Sequence, residues 1–358
     1  MKNKRIFIVT FSILVALFIG IIARDYVVLV KQPIWADEYM FLRITDNLPN
    51  YSTDKEWLSK ANGFSLNLED KFYDAAYTTK VWGHPPAANV IMYPLVKSIG
   101  NFIDKIWVYR LAYAILMIIT VGLLADVIRR KFGYAVASIA LIPMLLSQNL
   151  VMAGIYVYYD AAMCLFLALT IWLIEVKPKS KWKFAAASTM VLTKIYAAVF
   201  ILPLALLYYS INKNKADFTK MFLCCLSLIP FLIYQWAVTG QLLYIFTEHW
   251  LLSNSWNWET FRVITLPSVW NIILDWGLYI HFPLVIGGLI AYFRGQRQLH
   301  YSYILLYSLI LALALNGGLL GNKTYPIMFG AMFMVIPLAQ KVLAGIERKE
   351  PEIVHEHT

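Results

Sequence analysis

Five short polar motifs interrupt an otherwise apolar chain, and each carries side chains able to do chemistry. Trp35-Ala36-Asp37-Glu38-Tyr39 holds a carboxylate pair, able to act as a general base or to bind a cation. Asp37 can equally be the N-cap of a helix running through Glu38 to Leu42. In Trp82-Gly83-His84-Pro85-Pro86, His84 can meet a phosphate or rest at an interface. The proline pair can simply start a helix, because proline in a first turn forfeits no hydrogen bond. Tyr158-Tyr159-Asp160 opens one apolar run, and Thr193-Lys194 lies between the runs Ala185–Leu192 and Ile195–Leu207. Gly321-Asn322-Lys323-Thr324-Tyr325-Pro326 opens the last apolar run, with Lys323 either a ligand contact or a snorkelling interfacial lysine. Arg110 stands early in another run, and Asp275 and His281 are further polar groups in apolar surroundings with no assigned role.

These positions matter because of what surrounds them. Hydrophobic residues make up 60% of the 358 and charged residues only 15%, against about a quarter in soluble domains. A spanning helix needs about 20 apolar residues, so the length accommodates about ten to eleven helices. The expected fold class is all-α, a polytopic transmembrane bundle with a long outer first loop carrying short amphipathic helices. An ionisable group inside such a segment costs at least about 2.5 kcal/mol to insert and is a functional candidate by default. Asp160 and Lys194 form either a structural ion pair or the lining of a cavity.

The net charge of +10 does not point to nucleic acid. Eighteen of the 31 lysines and arginines fall in short breaks between apolar runs, at 2–5, 129–131, 177–183, 213–220, 294–297 and 341–349. That is the distribution of cytoplasmic loops, whereas a nucleic-acid surface needs one dense basic face. Cys164, Cys224 and Cys225 all lie within apolar runs and offer no disulfide or zinc spacing. They read as small packing residues.

The run Ile6–Ile22 follows Lys2, Lys4 and Arg5 and reads as an uncleaved first helix with a cytoplasmic N-terminus. Residues 23–84 then form the longest polar stretch, with nine of the 21 acidic residues, and are expected on the outer side. The basic breaks 177–183 and 213–220 flank about 28 apolar residues. If both are cytoplasmic, the chain between them goes out and returns as two short helices meeting at Thr193-Lys194. The same logic places 148–160 outside. One conflict follows: a fully spanning Ala87–Ile99 would put Arg129–Lys131 on the wrong side. The expected organisation is a catalytic transmembrane module over 1–210 including the loop 23–84, further transmembrane helices over 211–346, and a polar tail over 347–358.

Taken in order, the motifs resemble the GT-C superfamily of membrane glycosyltransferases, in the branch of the protein O-mannosyltransferases and the aminoarabinose transferases of lipid A. Asp37-Glu38 is similar to the Asp-Glu pair of their first outer loop, and Pro85-Pro86 to the proline pair leading into the next helix. Arg110, Tyr159-Asp160 and Thr193-Lys194 follow the family's order, and Lys323 to Pro326 weakly echoes a late Arg-Tyr-x-x-Pro signature. The chain departs from the pattern at His84, where many members have lysine, and at Lys323, where arginine is common. The likeness covers about residues 1–210 well and the last third loosely.

The resemblance implies an inverting transfer of sugar from a polyprenyl-phosphate donor to an acceptor hydroxyl on a protein, lipid or glycan, at the outer membrane face. It implies Asp37 as base, with Glu38 orienting it or binding the acceptor. Lys194, Arg110, His84 and Lys323 are then candidates for the donor phosphate, and Asp160, Tyr159 and Tyr325 complete the donor site. No metal-ligand spacing demands a metal, although a divalent cation fits such chemistry. The implied location is a multi-pass integral membrane protein, in the plasma membrane if the cell is prokaryotic, among membrane lipids and without nucleic acid. The competing class is a transporter or flippase of a lipid-linked or polar substrate, for which broken helices with intramembrane charges also serve. Against it, no internal two-fold repeat is visible.

Overall fold

The computed structural model describes residues 2–29, 36–46, 85–101, 104–145, 154–239 and 325–347, with single positions at 48 and 290. Every regular element among the described residues is helical. In chain order these are α1 (Lys2–Leu29), α2 (Ala36–Asp46), α3 (Ala87–Ile99), α4 (Ile106–Leu145), α5 (Tyr159–Val176), α6 (Trp182–Val191), α7 (Ile201–Asn212), α8 (Lys215–Phe222), α9 (Ile229–Thr239) and α10 (Tyr325–Glu347). Two 3-10 segments, Ile195–Phe200 and Leu223–Leu228, join α6 to α7 and α8 to α9. Among the described residues, four stretches are long and apolar enough to cross a membrane: Lys4–Ile21, Ile106–Ile142, Tyr159–Val176 and Lys215–Ala237. This is an integral membrane protein. Of the further transmembrane helices expected over 211–346, residues 240–324 lie outside the described residues apart from position 290.

A straight helix of 40 residues would be about 60 Å long, twice the ~30 Å hydrocarbon thickness. The chain breaks α4 at Gly133, where φ is 86° and ψ 172°. Only glycine takes such a conformation without strain, and Arg129–Lys131 stands immediately before it. The break separates the two apolar runs that the sequence suggests on either side of that basic cluster.

The bundle has two chemically different ends. At one, Asp126 accepts hydrogen bonds from Arg129 Nε (2.9 Å), Arg130 Nε (2.7 Å) and Trp172 Nε1 (2.9 Å). Lys131 pairs with Glu175 near the end of α5. Lys183, at the start of α6, donates to the Ser180 carbonyl at 2.8 Å. This is the basic end.

The opposite end lies about one membrane thickness away. From Arg129 back to Arg110 along α4 is a rise of about 28 Å, and from Glu175 back to Asp160 along α5 about 22 Å. Helix α1 runs antiparallel to the first arm of α4. Its Phe7 ring meets Tyr134 edge-on at 5.7 Å, Phe11 lies against Gly122, and Phe18 packs by Ala114 and Gly154. The N-terminal basic residues thus belong to the basic end.

Helix α3 resolves the topological conflict. Its first amide, Ala87 N–H, donates to the Leu192 carbonyl at 3.0 Å, next to Lys194. Its terminating Gly100, at φ 55°, accepts from the Tyr109 hydroxyl at 3.2 Å, next to Arg110. Both ends of α3 therefore lie near the same end of the bundle, and its 13 residues do not carry the chain across. Helix α2 runs alongside it in the same direction, with Asn89 Nδ2 donating to Thr45 Oγ1 (3.0 Å) and Lys97 bound to Asp46 (2.7 Å). Helix α10 packs on α4, with Phe333, Val335, Ile336 and Ala339 buried.

Candidate active site

Two buried ion pairs occupy the end opposite the basic clusters. Lys194 Nζ donates to both oxygens of Asp160, at 2.9 and 2.8 Å. Arg110 donates through Nε (3.1 Å) and an Nη (2.6 Å) to the two oxygens of Glu38. All four residues are nearly inaccessible, at 3, 2, 4 and 0% exposure for Lys194, Asp160, Arg110 and Glu38.

Local structure explains how each charge arrives there. Helix α6 ends at Val191 and the 3-10 segment begins at Ile195, leaving Lys194 extended at φ −154° and ψ 131°. Thr193 secures the break, its hydroxyl donating to the Met190 carbonyl at 2.6 Å. This is the pair of short helices meeting at Thr193-Lys194 that the flanking basic breaks suggest. Asp160 lies in the first turn of α5, where unpaired amides and the helix dipole favour a negative charge. Arg110 enters in the second turn of α4 and faces α2 through its bond to Glu38. Glu38 Oε1 also accepts from Val157 N–H at 3.1 Å, so one carboxylate ties α2 to α4 and to the segment entering α5.

An aromatic group links the elements that carry the two pairs. The Phe41 ring meets Tyr159 at 4.9 Å, Tyr113 at 6.2 Å and Tyr158 at 6.4 Å between centroids. The Lys194 ammonium lies over the Tyr158 ring, 4.9 Å from its centroid. This face attracts a cation and adds to the carboxylate's hold. Outside the membrane segments, the Asp46 carboxylate holds the exposed Lys97 ammonium above its ordinary pKa through their hydrogen bond.

Of the sequence candidates, Glu38, Arg110, Tyr159, Asp160 and Lys194 converge here. Asp37 lies in the first turn of α2, beside Glu38 in the chain, but its side chain is outside the described residues, as are His84 and Lys323. Tyr325 is the first residue of α10, and nothing is described of its side chain. Pro86 caps α3, its carbonyl accepting from Val90 N–H at 2.9 Å, so the proline pair does start a helix. Among the described residues no group of three or more His, Cys, Asp or Glu could hold a metal ion.

Two features of the cluster, one pairing and one residue, were not legible in the sequence. The Glu38–Arg110 pairing joins residues far apart in the chain, with no local signal. Tyr113 stands three residues after Arg110, on the same helix face, and only that spacing hints at it.

The class that this fold and site define is a polytopic helical membrane protein with a charged, aromatic-lined site buried at one end. Residues 83–236 match the family model described as dolichyl-phosphate-mannose-protein mannosyltransferase. The resemblance to the GT-C glycosyltransferases is borne out over that stretch, which holds Pro85-Pro86, Arg110, Tyr159-Asp160 and Thr193-Lys194; Asp37-Glu38 and Lys323 lie outside it. Among solved structures the chain is similar to ArnT from Cupriavidus metallidurans in the apo state, at 16% identity and a TM-score of 0.47. That similarity covers 91% of this chain and 59% of the other, so this chain accounts for less than two thirds of that protein. No curated protein sequence matches.

Proposed function

We propose that this protein is an inverting glycosyltransferase that moves a sugar from a polyprenyl-phosphate donor to an acceptor hydroxyl at the extracytoplasmic membrane face. The observation that carries the proposal is the buried Lys194–Asp160 pair at a helix break, within the stretch that matches a mannosyltransferase family. A lysine this deep is costly to bury, and a lipid-linked phosphate is a ligand that repays its presence. The lipid tail of such a donor stays in the bilayer while the sugar reaches the site.

The two-ended bundle supports the outer location. The N-terminal lysines and arginine, Arg129–Lys131 and Lys177–Lys183 belong to the end opposite the site, and basic loops stay in the cytoplasm. With α3 not crossing, these clusters fall on one side.

The chemistry is a single displacement. Asp37 takes the proton of the acceptor hydroxyl. The acceptor oxygen bonds to the anomeric carbon from the face opposite the phosphate. The bond from that carbon to the phosphate oxygen breaks, and its electron pair leaves with the lipid phosphate. The phosphate is already a weak base and needs positive charge more than a proton. Lys194 supplies that charge, with His84 and Lys323 as further contacts. Glu38 is held by Arg110 and Val157 N–H, an arrangement suited to fixing α2 and so presenting Asp37.

The test is release or transfer of sugar from a panel of polyprenyl-phosphate sugars by the purified protein, wild type beside Asp37→Asn. Turnover of one donor that disappears in the variant supports the proposal and names the sugar. A fully active Asp37→Asn protein removes Asp37 as the base. Movement of an unaltered lipid-linked sugar across liposomes, with no transfer to any acceptor, overturns the proposal in favour of transport.

A further inference from the structure

The hydroxyl of Tyr113 is buried and has no hydrogen-bond partner among the described residues. The residue is 0% exposed. Its ring meets Phe41, which also meets Tyr159, the neighbour of Asp160. Glu38, Tyr159 and Asp160 are all within electrostatic reach of the phenol. A buried hydroxyl left unsatisfied is a standing cost, and native structures retain few of them. Phenylalanine would fill the same space without that cost.

The neighbouring pair supplies a reason. Lys194 gives two short bonds to Asp160. If Lys194 turns toward a donor phosphate, Asp160 forfeits both while still buried, and a buried carboxylate deprived of its cation is heavily penalised. A spare buried O–H in the aromatic cluster that Tyr159, the neighbour of Asp160, belongs to would offset that loss.

We infer that Tyr113 is a positioning residue whose hydroxyl replaces Lys194 as hydrogen-bond donor to Asp160 when Lys194 engages the lipid phosphate. The inference rests on the donor-phosphate role proposed for Lys194. The exchange makes and breaks hydrogen bonds only: the Tyr113 proton stays on its oxygen, and Lys194 remains an ammonium throughout. A neutral donor suits this task because it leaves the net charge of the site to the ligand.

The experiment measures the affinity of undecaprenyl phosphate, without sugar, for wild type, Tyr113→Phe, Asp160→Asn and the double variant in detergent micelles, together with their thermal midpoints. The expected result is about a ten-fold weaker affinity in Tyr113→Phe, the value of one hydrogen bond to a charged group. Its midpoint without ligand is expected to be unchanged or higher, because the lost hydroxyl bonds nothing in the free protein. In the Asp160→Asn background there is no carboxylate to satisfy, and Tyr113→Phe is expected to change affinity by less than two-fold.

A Tyr113→Phe protein that binds as tightly as wild type overturns the inference and leaves the donor reading intact. So does an equal loss in both backgrounds, which would make Tyr113 a direct ligand contact. A lowered midpoint in ligand-free Tyr113→Phe also overturns it, since the hydroxyl would then be bonded already. If wild type itself fails to bind undecaprenyl phosphate, the donor reading and the exchange fall together. Should Asp160→Asn fail to insert, the affinity and midpoint of the single Tyr113→Phe variant still decide.

Discussion

Breaking the Lys194–Asp160 pair from one side should cost much more than removing it from both. Lys194→Met leaves a carboxylate at 2% exposure without its lysine. One-sided loss of a buried ion pair typically costs about 3–5 kcal/mol, whereas replacing both partners by well-packed neutral groups is often near neutral. Cys164 offers a local reporter. It lies one helical turn beyond Asp160 on α5 and is completely buried. With Cys224 and Cys225 replaced by alanine it is the sole thiol of the chain. If a membrane-permeant maleimide reacts only with an opened form, and closing outpaces labelling, the rate follows the open population. A loss of about 3 kcal/mol in closing free energy then raises that rate by about 100-fold, at tenfold per 1.4 kcal/mol. Lys194→Met is expected to label that much faster, and Asp160→Asn/Lys194→Met to return to within about ten-fold of the parent. Equal rates in the single and double variants would refute the reasoning. The pair's cost would then lie in packing and not in an uncompensated charge.

Other positions give independent tests. Glu38→Ala removes at least three hydrogen bonds and takes the carboxylate from Arg110; a loss of about 3–5 kcal/mol is expected, with Glu38→Ala/Arg110→Met recovering at least half in thermal unfolding. Gly154→Ala would place a Cβ 2.7 Å from the Phe18 ring, for an expected loss of about 1–3 kcal/mol that a smaller residue at position 18 partly relieves. Gly133→Ala meets open space but must adopt φ +86°. About 1–2 kcal/mol of strain is expected there, so an unaltered midpoint would show that α4 does not need its break. Asp46→Ala removes a pair whose lysine is about half exposed, and a change below about 1 kcal/mol is expected in the same unfolding assay.

Much of the architecture follows from patterns local in the chain. Apolar runs interrupted by basic clusters declare spanning helices and their polarity, because hydrocarbon leaves backbone amides no partner but their own helix. The break at Thr193-Lys194 was legible for the same reason: about 28 apolar residues between two basic loops must go out and return. Lys194 and Asp160 announced themselves because charge in such a run is expensive. Pairing was a different matter. That Lys194 meets Asp160 was one of two possibilities left open, and that Arg110 meets Glu38 was not indicated at all, since both depend on how α2, α4, α5 and α6 pack side by side. The course of Ala87–Ile99 was likewise undecidable from composition, because 13 apolar residues suit a tilted span or a helix that never crosses. Its two end contacts, to Leu192 and Tyr109, decided it. Tyr113 is the extreme case: a tyrosine in an apolar helix carries no signal of its own, and only the packed bundle shows its hydroxyl buried, without a partner among the described residues, in the aromatic cluster around Phe41. Sequence determines what each segment must avoid exposing to lipid, whereas the choice of partners among the buried groups is made by helix packing.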